Sequence, residues 1–577
     1  MEAESVEYRH AHHGSGVASL FPASARCIMI AELRWNIFDL VAPPDMPVSD
    51  AEGTWVFLDM RKTLLALALT CKSFTEPALD LLWRHLGGLE PLIKCLPQSL
   101  WKQDGEKLEF QSSITLDDWS IFCKYNHRVR SLLNQCHERY SKNTICGAEI
   151  WRVLSCPPFS LPLLPNLTSL TWAKASDQTF QYVRLFVTPK LTMLNISAAY
   201  YPPFTFGPSE QSIMLSIAKS CPSVSHLNFG WNRDEFTESV GDTSTVLQLW
   251  SQLTSVKTGI VSEAAILHLS NLPSLRVLKF TLPSTLVSAD TRKLLQRLVF
   301  CALQELDISC KNMVFLDAFL EKLTITPKVL SFTITHGVGS ARALPALISR
   351  LSNACAHNSL RQVRLSITGQ PANRDTSIDA AAFQPLFAFN LRKFDFAVDG
   401  HCVVRMDDAT LLQMAKAWPL LEDLSIIGYS NLNHLVTPHS FVLLLWHCPR
   451  LVSVAVPINW FMIGMHDIPR DIPYQEFSHN ALSRLVLVGS KMENPISVAA
   501  FISAIAPNVK SIRRDNAYDH DDDDDDIFSE VYPTWMIFQD LVAALPIIRE
   551  QGMKMMLRRA MRGSYSHRGS AQRGGRQ

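Results

Sequence analysis

At 577 residues the chain is longer than one ordinary compact domain, so it calls for several domains or one elongated array. Apolar residues at 47% supply ample core, and 54 basic side chains balance 54 acidic ones, which excludes a global charge drive toward nucleic acid or a membrane surface. Thirteen cysteines without a Cys-x-x-Cys pair point to reduced structural thiols, hence to a cytoplasmic or nuclear setting.

The first 25 residues are polar, with His10, His12 and His13 beside Gly14-Ser15-Gly16, and read as a disordered terminus. No charged-then-apolar secretory order opens the chain. The apolar runs, such as Leu64 to Leu69, reach only about six residues, against the ~20 needed to span a bilayer. Residues 26–97 read as three helices. The first is Glu32 to Val41, with Leu33, Ile37, Phe38, Leu40 and Val41 at helical spacing and Pro43-Pro44 as its stop. A polar loop covers Asp45 to Met60, and a second helix spans Lys62 to Phe74. A third starts at Pro77 and runs through Leu79, Leu81, Leu82 and Trp83 to Leu86, where Gly87-Gly88 ends it. The second helix is apolar around nearly its whole circumference. Three short helices cannot cover that surface alone, so either the adjoining repeat segment or a separate protein must do so.

Residues 98–160 read as a helical and irregular connector and N-terminal cap. From 161 to 515 a core of the form L-x-x-L-x-L recurs thirteen times, often after a proline. Examples are Leu167-Leu170-Trp172, Leu275-Leu278-Phe280, Leu303-Leu306-Ile308, Val329-Phe332-Ile334 and Leu391-Phe394-Phe396; Leu253-Val256-Thr258 and Val509-Ile512-Arg514 are degraded copies. The step averages about 28 residues, inside the ~20–29 residues typical of leucine-rich repeats. Helical stretches such as Thr410 to Ala417 and His439 to Trp446 separate the copies. Each unit then pairs a strand with a helix and buries its apolar face only by stacking on its neighbours. The expected fold class is α/β: a short N-terminal helical module, then a solenoid with a parallel concave sheet and a helical convex side. An ordinary α/β domain with a parallel sheet is the alternative. The Asn or Cys that many such repeats place three residues after the last Leu is mostly missing: Ala175, Ala199, Pro283, Lys311 and Tyr429 stand there, and only Asn232 conforms.

Beyond 515, Asp519, His520 and Asp521 to Asp526 form an acidic run, read as solvated chain or as a lure for a basic partner. Tyr532 to Arg559 reads as helical. Gly563 to Gln577 reads as disordered, and its arginines, with Tyr565 as the one aromatic, offer little for nucleic acid. On the strands, side chains flanking the fourth motif position should face outward. That face carries Lys257, Lys279, Glu305, Asp307, Arg364, Lys393, Asp395 and Asp423, with Arg361, Arg392 and Glu422 at the strand edge. Adjacent strands lie ~4.8 Å apart, so Lys279 can meet Asp307, Arg364 can meet Asp395, and Lys393 can meet Asp423. Two readings stay open. One is a row of intramolecular ion pairs worth about 0.2–1 kcal/mol each. The other is a substrate-binding surface formed by Arg361, Arg364, Arg392, Lys393, Asp395 and Asp423.

Gly337-Val338-Gly339 occupies the place of a phosphate loop but lacks the third glycine, where Arg342 stands, and reads as a turn. No phosphate-loop, zinc-protease or nucleophile-elbow motif appears, and Cys and His lack zinc-ligand spacing. No enzyme activity, cofactor or metal is expected.

The N-terminal helices resemble an F-box. Ile30-Ala31-Glu32-Leu33 with Ile37-Phe38 looks like the family's opening; Leu65 to Phe74 is similar to its second helix; Glu76 to Arg84 looks like its closing stretch with Leu82-Trp83. The layout resembles the large fungal F-box group, in which a segment like Asp117-Asp118-Trp119…Tyr125…Arg128 to Leu132 joins the module to divergent leucine-rich repeats. The resemblance implies docking on the Skp-type adaptor of an SCF-type cullin–RING ubiquitin ligase through Leu33, Ile37, Phe38, Leu67, Leu69, Cys71, Phe74 and Trp83, with the repeats holding a protein substrate. A repeat scaffold unconnected to ubiquitin is the alternative.

Overall fold

The computed structural model describes residues 51–134, 145–174, 177–198, 207–229, 243–296, 300–335, 342–369, 377–398, 402–428, 436–463, 477–487, 494–514 and 537–558 except 543 and 546, together with positions 30, 32, 36, 38 and 40. Leu33, Ile37, the terminal histidines, the Gly337-Val338-Gly339 turn, the Asp521 to Asp526 run and the arginines beyond 558 lie outside the described residues. The chain divides into two compact units, residues 1–226 and 227–577. The fold is α/β, with parallel strands dominating both units.

In the first unit helix α1 spans Ala51–Thr70 and α2 spans Lys72–Arg84. This corrects the loop expected up to Met60 and the break expected after Phe74. No proline lies between Pro47 and Pro77 to stop a helix early. The chain breaks instead at Cys71, whose φ of −158° and ψ of 157° are extended, and Pro77 is carried inside α2. The strands of this unit are β1 (His85–Leu86), β2 (Trp101–Asp104), β3 (Lys107–Phe110), β4 (Ser131–Asn134), β5 (Ile145–Cys146), β6 (Ser169–Lys174) and β7 (Met193–Ala198). β2, β3 and β5 form a small separate sheet. β1, β4, β6 and β7 pair in parallel, aligning Leu86, Leu132, Leu170 and Leu194. In this unit the parallel strands therefore begin at residue 85, inside the segment read as the helical module and well before residue 161. Two further contacts tie that module to the connector: Arg128 bridges Glu76 at 2.5 Å and also Asp80, and the Trp83 ring stacks on Tyr125 at 4.6 Å.

The second unit opens with β8 (His226–Phe229) at the boundary. Next come β9 (Ser255–Ile260), β10 (Val277–Thr281), β11 (Glu305–Cys310), β12 (Val329–Ile334) and β13 (Gln362–Ile367). β14 (Ser377–Asp379) and β16 (Val403–Arg405) form a two-stranded side sheet, while β15 (Lys393–Val398), β17 (Asp423–Ile427), β18 (Ser453–Ala455), β19 (Arg484–Leu487) and β20 (Ser511–Arg514) continue the main one. Each of the thirteen predicted copies overlaps a strand.

A recurring turn explains why several strands start where they do. In Leu272-Pro273-Ser274-Leu275, Trp418-Pro419-Leu420-Leu421 and Cys448-Pro449-Arg450-Leu451 the last N–H donates to the first carbonyl, at 3.4, 3.1 and 3.1 Å. Proline at the second place of such a turn has its φ preset and needs no N–H there. The strand then alternates: on β15, Lys393 is exposed while Phe394, Phe396 and Val398 are buried. The buried members align in register through Leu278, Leu306, Leu330, Val363, Phe394, Leu424, Val454 and Leu485 to the half-buried Ile512. Ring contacts join this spine to the helices, as Phe280 meets Phe319 at 5.9 Å and Phe383 meets Phe396 at 4.9 Å.

Two details differ from the sequence reading. On β12 the copy is Pro327-Leu330-Phe332, because Leu330 aligns with Leu306 and Phe332 with Ile308; Val329 is half-buried on the other face. The side-chain ladder exists, but it comes three residues before the first Leu. His479 reaches the Cys448 carbonyl at 3.0 Å, Cys448 the Trp418 carbonyl at 3.5 Å, and Trp418 Nε1 the Leu386 carbonyl at 3.2 Å. Earlier in the chain Cys221 reaches Thr188 at 3.1 Å and Thr188 reaches Leu167 at 2.8 Å.

Candidate interaction surfaces

The helical module has a packed face and an open one. Phe38, 2% exposed, sits in a core with Leu64, Ala68, Ala78 and Leu81, flanked by Leu67, Phe74 and Leu82. Its ring meets Phe74 edge-on at 5.4 Å. Opposite that core, Leu65 and Leu69 lie one turn apart on α1 and are 50% and 79% exposed. Cys71 comes next, also exposed, with its sulfur 3.0 Å from the Ser73 hydroxyl. That hydrogen bond, the largest influence, lowers the thiol pKa. Of the eight residues assigned by resemblance, Phe38, Leu67 and Phe74 thus hold the module together, Leu69 and Cys71 face solvent, and Trp83 packs on Tyr125. Leu65 was not among the eight; its i, i+4 spacing to Leu69 was the available signal.

On the sheet, Arg364 pairs with Asp395 at 2.6 Å and Arg392 with Glu422 at 3.1 Å. Lys279 bridges Glu305 and lies 3.9 Å from Asp307. Lys393 and Asp423 are register partners, yet Asp423 bridges to Arg484 at 3.5 Å, two strands away. The short Ser453 on the strand between leaves room for that reach. Burial pushes the Asp423 carboxyl up, against the pull of Arg484 and Lys393. Arg361 donates to the Asn390 carbonyl at 3.4 Å. β11 and β12 depart from alternate exposure: Asp307, Ser309, Ser331 and Thr333 are all buried. Val329 and Ser331 are short beside Lys279, Glu305, Gln362 and Arg364, and these residues enclose a depression of about 210 Å³. The six residues proposed for substrate therefore lie on adjacent strands, with most of their charge already partnered.

Among the described residues no group of three or more His, Cys, Asp or Glu is placed to hold a metal ion. Burial pushes the thiols of Cys310, Cys355 and Cys448 up to about 12, so they are protonated at neutral pH and serve as core. No helix among the described residues is long and apolar enough to cross a membrane. Comparison with family models found no match, and comparison with curated proteins found none either.

Proposed function

We propose that the chain is a substrate-recognition adaptor of an SCF-type cullin–RING ubiquitin ligase. The F-box-like helices within residues 26–97 dock a Skp-type adaptor, and the repeats, read as leucine-rich, hold a protein substrate. The observation that carries this reading is the pair Leu65 and Leu69, left in water on a helix whose opposite face is packed. Covering a leucine side chain contributes about 1.5–3 kcal/mol, so the pair is a ready anchor for a partner.

A second reading has its own support. The pairing of β1 with β4 and the Trp83–Tyr125 stack build the helices into the first unit, as a cap to a scaffold unconnected to ubiquitin would be built. One experiment separates the two. Full-length protein is co-purified with a Skp-type adaptor, beside the double variant Leu65→Asp/Leu69→Asp. The adaptor reading requires capture by the wild type and at least a tenfold loss in the variant, with the far-UV spectrum unchanged. Absence of capture by folded wild type refutes it and leaves the scaffold.

A further inference from the structure

A second charged feature runs along the edge where each strand begins, and the backbone sets it. There each repeat donates an N–H to the carbonyl of the same position in the repeat before. Gln304 donates to Arg276 at 2.8 Å, Lys328 to Gln304 at 2.7 Å, Arg361 to Lys328 at 2.9 Å, Arg392 to Arg361 at 2.7 Å, and Glu422 to Arg392 at 2.7 Å. One continuous row therefore presents Arg276, Gln304, Lys328, Arg361 and Arg392, four cations with no anion until Glu422, in a chain of zero net charge. Arg276, Lys328 and Arg392 are exposed, and Arg361 is half-buried. Arg392 is offset by Glu422. Among the described residues Arg276, Lys328 and Arg361 have no carboxylate partner.

Like charges one strand apart repel, and the free protein carries that cost. Strands stand ~4.8 Å apart, so the four steps from β10 to β15 span ~19 Å; an extended chain at ~3.3 Å per residue crosses that in about six residues. We infer that this row is a docking edge for an acidic segment of a partner protein, about six residues long and extended across the strand entrances. The inference rests on the reading of the repeats as the partner-binding part, and it names the chemistry of what they bind. Charge complementarity selects the acid. The row holds no aromatic side chain on which bases would stack, which favours a peptide over single-stranded nucleic acid. The chain's own run, Asp521 to Asp526, has the right length. Its tether from β20 holds only six residues, though, and to lie along the row it would have to be stretched to its limit of ~20 Å.

The test uses full-length protein and fluorescence anisotropy, with a labelled peptide of six consecutive glutamates. A six-glutamine peptide and a single-stranded 12-nucleotide DNA serve as comparators. The glutamate peptide should bind, with affinity falling about tenfold as salt rises from 50 to 200 mM and about tenfold in Arg276→Glu/Lys328→Glu. The glutamine peptide should not bind. Replacing Asp521 to Asp526 with serine should change affinity by less than twofold. The inference fails if the two peptides bind alike, if the double variant binds as the wild type, or if the DNA binds more tightly. It also fails if the serine replacement raises affinity tenfold, since the run would then be the occupant. The comparison of peptides on the wild type stands even if the double variant does not fold. No Skp-type adaptor enters the assay, so its outcome and that of the docking test are independent.

Discussion

His479 shows how one side chain can fix a repeat boundary. The ring is 3% exposed, its Nδ1 accepts the Leu482 N–H at 3.2 Å, and Nε2–H donates to the Cys448 carbonyl at 3.0 Å. The accepting Nδ1 has no room for a second proton, and burial, the largest influence, holds the imidazole pKa below the ordinary histidine value. In the unfolded chain the same ring titrates near ~6.5. As pH falls through that value the unfolded state takes up the proton first. The stability from this ring is therefore complete above the unfolded pKa and is lost as pH drops toward the folded one. The urea midpoint of the wild type should fall between pH 7.5 and 5.5 by more than that of His479→Asn. Parallel pH profiles would show that the ring does not bury neutral. This ladder position was hidden in the sequence for a physical reason. A bond to a backbone carbonyl needs only a donor of suitable reach, and Thr188, Cys221, Trp418, Cys448 and His479 all supply one, so no single residue type recurs.

Successive helices are joined by a device that sequence spacing does not reveal. Asp408 begins the helix Asp408–Ala417, yet its carboxylate accepts the N–H and the hydroxyl of Thr437, at 2.7 and 2.9 Å. Thr437 is the N-cap of the next helix, its oxygen accepting the Ser440 N–H at 3.3 Å. Glu263 treats Ser288 the same way, accepting its N–H at 2.7 Å and its hydroxyl at 2.5 Å. An acid at one helix start thereby orients the cap of the next one along. Asp408→Ala should cost about 1–2 kcal/mol in denaturant unfolding. Asp408→Asn, which keeps one acceptor, should lose less, and an alanine variant as stable as the wild type would remove the link. The strands were far more legible than these links. Alternation of apolar and polar positions left a period-two signature in most copies, and a Pro-x-Leu turn marked several strand starts, though none precedes Leu253, Leu303, Leu360, Leu391 or Leu482. The exception at Val329 has its origin in the same periodicity: a shift of two residues keeps every side chain on its face, so Val329-Phe332-Ile334 and Pro327-Leu330-Phe332 satisfy the pattern equally, and only pairing with Leu306 decides.

At the scale of the whole chain, the repeated strand-and-helix architecture was legible and its limits were not. Thirteen copies declared the repeat, but β1 and β4 are only two and four residues long, too short for a pattern, and only their pairing reveals that parallel strands of the first unit start at His85. Candidate surfaces divided similarly. Cross-strand distance foretold the Arg364–Asp395 pair, whereas Arg484 reached Asp423 over a short neighbour, and the basic edge emerged only once the backbone row was traced. In the N-terminal helices the resemblance named residues that pack, such as Phe38 and Phe74, together with Leu69 and Cys71, which are exposed; Leu65 beside them on the open face became visible only with its exposure. The proposed role rests on that face. Hydrogen exchange of the full-length protein, alone and with a purified Skp-type adaptor, tests it most directly. The account predicts slowed amide exchange across residues 64–74, with the strands of the second unit unchanged. Unaltered exchange throughout, or slowing confined to those strands, would contradict it.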